Sequence, residues 1–192
     1  MKANIVFVID ESGSMQGTAS DVRGGFNTYI ERIAGDGNEY ILTALKFGTT
    51  VRPLFANVPL EQVPLLTTDN YTPNGNTALY DAIGHGLGTV KGTEEKPYGE
   101  EPVYFIIMTD GVENASREFG KEVITAKMKR REDAGNWTFV YMGADQDAWS
   151  VASDLGFAKG NVLSYASAST GITFEHLASS TTTSASSGQI QS

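Results

Sequence analysis

The first candidate for chemistry is a short loop in which oxygen-bearing side chains alternate. Asp10, Ser12 and Ser14 follow the apolar stretch 5–9. Gly13, between the two serines, permits backbone angles that other residues avoid, so both hydroxyls can turn towards one point. A carboxylate and two hydroxyls are hard oxygen donors, which suit Mg²⁺ or Mn²⁺. The loop is therefore a candidate metal site.

Two further segments carry donors of the same kind. The stretch 74–77 ends in Thr77 just before a predicted helix, and the stretch 109–111 has Asp110 at its centre, directly after a predicted strand. Neither segment contains His, and the whole chain has no Cys. Zinc, which prefers thiolate and imidazole ligands, is therefore not the expected metal.

The three segments must be positioned by the strands and helices around them. Along the chain, apolar runs typical of buried strands alternate with stretches of helical periodicity. The predicted strands are residues 5–9, 40–47, 49–55, 103–108, 137–142 and 161–165. The predicted helices are residues 20–34, 79–90, 117–133, 145–155 and 174–177. This alternation predicts a Rossmann-like three-layer α/β sandwich, with a mainly parallel sheet and helices on both faces. Pro53 and the turn at Gly48 predict one antiparallel strand at the sheet edge.

Together, the three segments resemble the metal-ion-dependent adhesion site of von Willebrand factor A-type domains. The first loop fits the family's Asp-x-Ser-x-Ser motif, Thr77 fits its second-loop threonine, and Asp110 in Thr-Asp-Gly fits its third-loop aspartate. The stretches 25–27, 75–82 and 143–148 also resemble small stand-alone bacterial and phage members. The resemblance covers about residues 3 to 165.

The resemblance implies a ligand set and a function. Ser12, Ser14 and Thr77 would be direct or near-direct ligands of Mg²⁺ or Mn²⁺, and Asp10 and Asp110 would bind directly or through water. One coordination position would remain for an Asp or Glu that a protein partner presents. The expected function is thus a divalent-cation-dependent protein-binding module without enzymatic activity.

Each candidate residue also has a simpler interpretation. Ser12 and Ser14 could cap the following helix, and Asp10 could close an Asx turn. Thr77 could cap its own helix, and Asp110 before glycine could be an ordinary turn residue. These interpretations leave the occurrence of all three segments in one chain unexplained.

Other polar residues near the three segments are expected to play minor parts. We expect Glu11 to be a charge at the rim of the cleft and Asp81 to support the second loop or face solvent. Glu113 and Asn114 are expected to line the rim. His85 and His176 are expected to be structural.

Two other functions are compatible with this pattern. A metal-assisted phosphotransferase or hydrolase would also hold Mg²⁺ at strand ends, but such enzymes usually need a second carboxylate beside the first, and Ser12 stands there. The chain has no glycine-rich phosphate loop followed by lysine. The third alternative is an assembly subunit whose metal only holds the loops together.

Composition narrows the choice of partners. The 192 residues are the size of one domain, and the net charge of −9 disfavours nucleic acids and anionic membranes. The apolar run 5–9 is too short for a signal peptide, so we predict a cytoplasmic protein.

The end of the chain differs in composition from the rest. From residue 179 onward nearly every residue is Ser, Thr, Ala, Gly or Gln. Such a segment buries little apolar surface to offset the entropy lost on ordering. We therefore assign residues 1–178 to the domain and residues 179–192 to a flexible tail.

Overall fold

Strands and helices alternate along the part of the chain that the structure describes. The computed structural model describes residues 2–92, 96–144, 148–157, 161–165 and 170–187. The strands are β1 (Lys2–Asp10), β2 (Glu39–Phe47), β3 (Val51–Pro59), β4 (Val103–Thr109), β5 (Trp137–Ala144) and β6 (Val162–Tyr165). The α-helices are α1 (Ala19–Ile33), α2 (Leu79–Leu87), α3 (Lys121–Asp133), α4 (Ala148–Asp154) and α5 (Thr170–Ser187). Short 3₁₀ helices lie at Gly13–Thr18 and Leu60–Gln62.

The strands form one mixed sheet in the order β3-β2-β1-β4-β5-β6. The pairs β1–β2, β1–β4, β4–β5 and β5–β6 are parallel, whereas β2 and β3 are antiparallel. Pro53 lies in β3 at the sheet edge, where a missing backbone donor is tolerated. The predicted fold, including its antiparallel edge strand, is confirmed.

Two apolar cores lie on opposite faces of the sheet because side chains alternate along each strand. Ile5, Phe7 and Ile9 of β1 pack into the core under α1 and α5. Val6 and Val8 of the same strand pack into the core under α2, α3 and α4. This burial on both faces explains the continuous apolar run in β1, which is typical of parallel strands.

Helix α2 is shorter than predicted and packs closely on the sheet. It ends at Leu87 rather than near Val90, since three glycines weaken its last turns. A Cβ atom on Gly86 would lie 2.9 Å from Phe105 and 3.0 Å from Val8. Gly86 therefore lets the helix backbone approach the sheet.

Helix α3 begins at Lys121, four residues later than predicted. The backbone N–H groups of Arg117, Glu118 and Phe119 donate to the carboxylate of Asp81. Because Asp81 is the acceptor for these three donors, the segment before Lys121 is held as a loop.

Helix α5 runs to Ser187 and so extends past residue 178, the point after which composition predicts a flexible tail. The hydroxyl of Thr181 is buried, donates to the carbonyl of Leu177 and lies 3.1 Å from the hydroxyl of Tyr29. Threonine hydroxyls can bond to their own helix and to a neighbour, which composition alone does not reveal. Residues 188–192 of the predicted tail lie outside the described residues, as does the predicted helix cap Asp145.

Helix α5 is anchored on α1 by Phe174, whose ring lies against the backbone of Gly25. A Cβ atom on Gly25 would lie 2.1 Å from this ring. Gly25→Ala is therefore expected to lower the free energy of unfolding by about 1–3 kcal/mol through overpacking. Urea unfolding followed by circular dichroism measures this loss.

The adjacent Gly24 provides a matched control. A Cβ atom there would meet no atom within 4 Å. Gly24→Ala is expected to stabilise the protein by about 0.5–1 kcal/mol through helix propensity alone. Equal effects of the two substitutions would contradict the close packing of the Phe174 ring on the backbone of Gly25.

The described helices also bear on membrane insertion. Among the residues that the structure describes, no helix combines the length and the apolar character needed to cross a bilayer.

Candidate functional site

The three predicted segments meet at the carboxyl ends of β1 and β4. Asp10 is the last residue of β1, and Asp110 directly follows β4. The strand β1 lies between β2 and β4. After β1 the chain adds β2 and β3 on one side of it, and then adds β4, β5 and β6 on the other side. This change of direction is where ligand sites form in parallel α/β sheets.

A continuous series of hydrogen bonds joins the first and third segments. The N–H of Ser12 donates to Oδ1 of Asp10 at 2.7 Å, and Oγ of Ser12 lies 3.1 Å from Oγ of Ser14. Oγ of Ser14 donates to Oδ1 of Asp110 at 2.6 Å. Four of the five predicted ligands are thus linked in series, each in contact with the next.

The fifth residue, Thr77, reaches the same place beside Gly111. A Cβ atom on Gly111 would lie 3.0 Å from Oγ1 of Thr77 and 3.6 Å from Oδ2 of Asp10. Thr77 is buried, and the residue that caps α2 is Ala78, which makes no side-chain cap bond. The hydroxyl of Thr77 therefore does not serve as the helix cap that its position suggested.

The other simple interpretations have mixed outcomes. Asp10 does close an Asx turn through its bond to the N–H of Ser12. Ser12 stands at the N-cap position of the 3₁₀ helix Gly13–Thr18, but its side chain makes no cap bond. The hydroxyl of Ser12 therefore contacts the hydroxyl of Ser14 rather than a backbone N–H group of the 3₁₀ helix.

Thr109 contributes to the site and was not recognised from the sequence. Its hydroxyl donates to Oδ2 of Asp10 at 2.5 Å and accepts from the N–H of Gly111 at 3.0 Å. Thr109 therefore fixes the second carboxylate oxygen of Asp10 and links it to the third segment. Its place as the final residue of a strand next to β1 was the available signal.

Burial changes the acidity of groups at this end of the sheet. Burial raises the pKa of Asp10 to about 6, against the opposing effect of its bonds to Thr109 and Ser12, and the nearby Asp110 raises it further. Burial also raises the pKa of Tyr141, to which Asp10 and Asp110 contribute as neighbouring negative charges. The ionised form of Asp10 is therefore costly without a compensating positive charge.

Backbone bonds tie the first and second segments to the turn between β2 and β3. The N–H of Gly13 donates to the carbonyl of Gly75 at 3.0 Å, and the N–H of Asn74 donates to the backbone carbonyl of Glu11 at 2.6 Å. The hydroxyl of Thr49 in the turn accepts from the N–H of Asn76 at 3.0 Å. The loops are thus held by backbone contacts that do not depend on the candidate ligands.

The expectation that Glu11 is a rim charge is wrong. Its side chain is only 2% exposed, and it pairs with Lys46 at 3.1 Å and with Arg52. The side chains of Asp10 and Glu11 point in opposite directions. That of Asp10 faces the candidate site, and that of Glu11 faces the hairpin formed by β2 and β3. A buried carboxylate requires such partners, and two cations supply them.

Asp81 supports the loop between the third segment and α3 rather than the second segment. It is buried, and its carboxylate accepts the three N–H groups of residues 117–119. Glu113 likewise accepts the N–H groups of Tyr80, Ala115 and Ser116. The side chain of Asn114 accepts the N–H of Thr77 at 2.9 Å, which joins the second segment to the loop that follows the third.

Two further residues fasten the long connection before the second segment. The buried hydroxyl of Tyr71 donates to the carbonyl of Asp10 at 2.7 Å. The side chain of Asn27 bonds both backbone groups of Leu66, at 2.8 and 3.1 Å. These contacts place the connection against α1 and against the end of β1.

The donor set fits a hard divalent cation. Two carboxylates and three hydroxyls meet at one place, and oxygen donors of this kind suit Mg²⁺ or Mn²⁺. The raised pKa of Asp10 is a second sign of fit, because a bound cation would stabilise the ionised form. Within the described part of the chain, no group of three or more His, Cys, Asp or Glu side chains could hold a metal ion, and the candidate site combines only two carboxylates with hydroxyl donors.

The fold and the position of the oxygen-rich loops define an α/β domain of the Rossmann-like class whose candidate site lies at the change of chain direction beside β1. The model of the von Willebrand factor type A domain matches residues 4–171. The chain therefore belongs to the von Willebrand factor type A domain family, which consists of protein-interaction and adhesion modules. A sequence search against curated proteins finds no significant match.

Several solved structures share the fold at low sequence identity. Proximal thread matrix protein 1 from the mussel byssus is 16% identical with a TM-score of 0.63, covering 94% of this chain and 46% of that one. The pilus adhesin SpaC from Lactobacillus rhamnosus GG is 14% identical with a TM-score of 0.70, covering 94% and 30%. The vWF domain of the type V pili tip protein Mfa5 from Porphyromonas gingivalis is 10% identical with a TM-score of 0.68, covering 99% and 97%. The chain spans less than half the length of the first of these structures.

Proposed function

We propose that this domain binds a protein partner through a divalent cation. Asp10, Ser12, Ser14, Thr77 and Asp110 would hold Mg²⁺ or Mn²⁺, and the partner would present an Asp or Glu. The observation that carries the proposal is the series of contacts from Asp10 through the two serines to Asp110, with Thr77 alongside.

The charge and exposure of the donors support binding of an acidic partner. Three of the five donors are neutral hydroxyls, so the protein's two carboxylates do not exceed the charge of a divalent cation. A bound cation would leave the site neutral rather than negative, so a partner carboxylate could contact the metal at a partly desolvated interface without net repulsion. Ser14 is exposed and Asp110 is half-buried, whereas Asp10 is fully buried. The partner would therefore approach from the side of Ser14 and Asp110.

The surroundings of Asp10 do not favour a hydrolase or phosphotransferase. Such chemistry needs a general base or a second carboxylate beside the first. Ser12 occupies the corresponding place in the loop, and the adjacent Glu11 is engaged by Lys46 and Arg52. A protein-binding function needs neither a general base nor a second carboxylate beside Asp10, and it therefore fits these residues better than an enzymatic function.

Partner capture from the native host tests the proposal. The bait proteins are the wild type, the double variant Ser12→Ala/Ser14→Ala and the control Ser20→Ala, which alters an exposed serine of α1. A specific protein should be retained by the wild type and the control in Mg²⁺, and lost in EDTA or with the double variant. Capture that survives both chelation and the double substitution would instead support an assembly subunit.

Magnesium affinity is expected to fall as the pH decreases through about 6. Asp10 is protonated below its pKa of about 6 in the metal-free protein, so protons and cations compete for the same carboxylate. The dissociation constant should rise about tenfold for each pH unit below this value. Isothermal titration calorimetry at pH values above and below 6 measures the change. Equal affinities on both sides would contradict direct or water-mediated binding by Asp10.

A further inference from the structure

An open groove borders the candidate site on the side of α4. Its accessible apolar lining comes from Tyr80, Val112 and Val151, above the buried Leu79 and Leu155, and its volume is about 300 Å³. Val112 is 68% exposed, the largest fraction among the exposed large hydrophobic side chains of the described residues. An exposed apolar side chain that continues into an apolar groove marks an interaction surface, whereas a scattered one does not.

Two residues of the groove follow candidate ligands closely in the sequence. Leu79 follows Thr77 by two residues, and Val112 follows Asp110 by two residues. Two residues of extended chain span at most about 7 Å. A partner segment whose carboxylate lies at the candidate site therefore reaches the groove within a few residues.

The charged groups at the groove are already engaged, which leaves its surface suited to an apolar group. The carboxylate of Glu113 accepts the N–H of Tyr80 and those of two residues that follow it. Asp154 pairs with Lys121 at 3.0 Å. Lys121 offsets the charge of Asp154, whereas Glu113 keeps its negative charge and its carboxylate oxygens are held by backbone N–H groups.

The opposite side of the first loop differs in charge. There Lys46 and Arg52 surround Glu11, which leaves one net positive charge, and Arg52 is 61% exposed. A partner segment therefore meets a basic surface on the hairpin side and an apolar surface on the α4 side. This asymmetry complements a segment with an acidic residue followed or preceded by an apolar one.

We propose that the groove receives an aliphatic side chain of the partner segment that presents the carboxylate, two residues away from the acid. In an extended segment, side chains two residues apart lie on the same face, about 7 Å from one another. This spacing lies within the reach set by the two-residue separation of Val112 from Asp110. The proposal rests on the proposed function and adds the partner's sequence requirement to it.

Selection from a library of short peptides tests the spacing. The peptides carry a fixed central Asp with randomised flanks, are displayed on phage, bind the full chain in Mg²⁺ and are eluted with EDTA. We expect Leu, Ile or Val to be enriched two positions from the Asp. The selected peptide should bind Val112→Ser about tenfold more weakly, because one aliphatic contact is lost.

A matched variant and the pattern of selection separate the outcomes. Val123→Ser alters a 48% exposed valine of α3 outside the groove lining and should leave peptide binding unchanged. Selection of Asp with random flanks, or full binding by Val112→Ser, would overturn the groove proposal and leave the proposed function standing. If no peptide is retained in Mg²⁺ and released by EDTA, the proposed function fails and the groove proposal fails with it.

Discussion

The Asp10→Asn variant is expected to lose the magnesium-dependent rise in melting temperature of the wild-type protein. A cation present at a hundred times its dissociation constant stabilises the folded state by about 2.7 kcal/mol. For a domain of this size, that corresponds to a rise on the order of 5–10 °C. An amide replaces the charged oxygen of Asp10, so the rise should disappear. Thermal unfolding in Mg²⁺ and in EDTA at neutral pH measures both values.

The same variant is expected to be more stable than the wild type in EDTA at neutral pH. Burial raises the pKa of Asp10 from 3.8 to about 6, so the folded state binds this proton more tightly than the unfolded chain does. The resulting contribution is fully present below about pH 4 and is lost as the pH rises through 6. It amounts to about 3 kcal/mol. The uncharged amide of the Asp10→Asn variant keeps this contribution at all pH values.

The neighbouring Thr109 can accommodate the amide. Its hydroxyl can accept a bond from the amide and donate to the carbonyl of Gly111, which lies 3.4 Å away. Asp69→Asn, a substitution of an exposed acid outside the site, should keep the magnesium response and show no such gain in EDTA. A full magnesium response in Asp10→Asn would show that Asp10 is not needed for the cation.

The Asp81→Ala variant is expected to lose about 3–5 kcal/mol of unfolding free energy. Its carboxylate accepts the N–H groups of Arg117, Glu118 and Phe119 at 2.8–2.9 Å, and it is only 7% exposed. Bonds to a charged acceptor contribute more than neutral ones, and three partly buried donors would lose their partner together. Urea unfolding gives the loss.

Hydrogen exchange distinguishes this effect from a general loss of packing. The amides of residues 117–119 should exchange faster in Asp81→Ala than in the wild type, even under conditions where the core remains protected. Asp133→Ala, which removes an exposed acid at the end of α3, should leave these exchange rates unchanged and alter the unfolding free energy by no more than about 0.5 kcal/mol. A loss below about 1 kcal/mol in Asp81→Ala would contradict the role assigned to its carboxylate.

The sheet could be predicted from the sequence because its strands carry an unusually direct signal. β1 and β4 are buried on both faces, so each is a continuous apolar run. The edge strand β3 was predicted from Pro53 and the preceding turn. Its end could not be predicted, since β3 continues to Pro59 through a bulged pairing with β2 that depends on tertiary contacts.

The meeting of the three segments could also be predicted, because the carboxyl ends of parallel strands share one edge of the sheet. The partners that fix each donor could not. Thr109 contacts Asp10 across 99 positions of sequence, and Tyr71 contacts the same residue across 61. Neither contact follows from local spacing. Whether the five donors bind a cation remains a prediction for the experiments above.

The error at Glu11 has a similar physical origin. The alternation of side chains along an extended chain correctly predicted that the Glu11 side chain points away from that of Asp10. The sequence did not reveal that Lys46 and Arg52 would lie on that side, because their position depends on the pairing of β2 with β1 and β3. The limit of helix α5 was missed for a related reason, since Thr181 is stabilised by Tyr29 from a distant helix.

The backbone ties between the first two segments and the hairpin turn bear on the order of folding. Ser14 and Asp110 are 96 positions apart, and the contact between them needs β4 to have joined β1. Contacts between such distant residues form slowly. We therefore expect the first two loops to be arranged by the hairpin early, while the oxygen cluster is completed only after synthesis and docking of β4. A nascent chain that ends before Asp110 would lack one of the five donors. Affinity for the cation would therefore indicate that β4 has joined the central sheet.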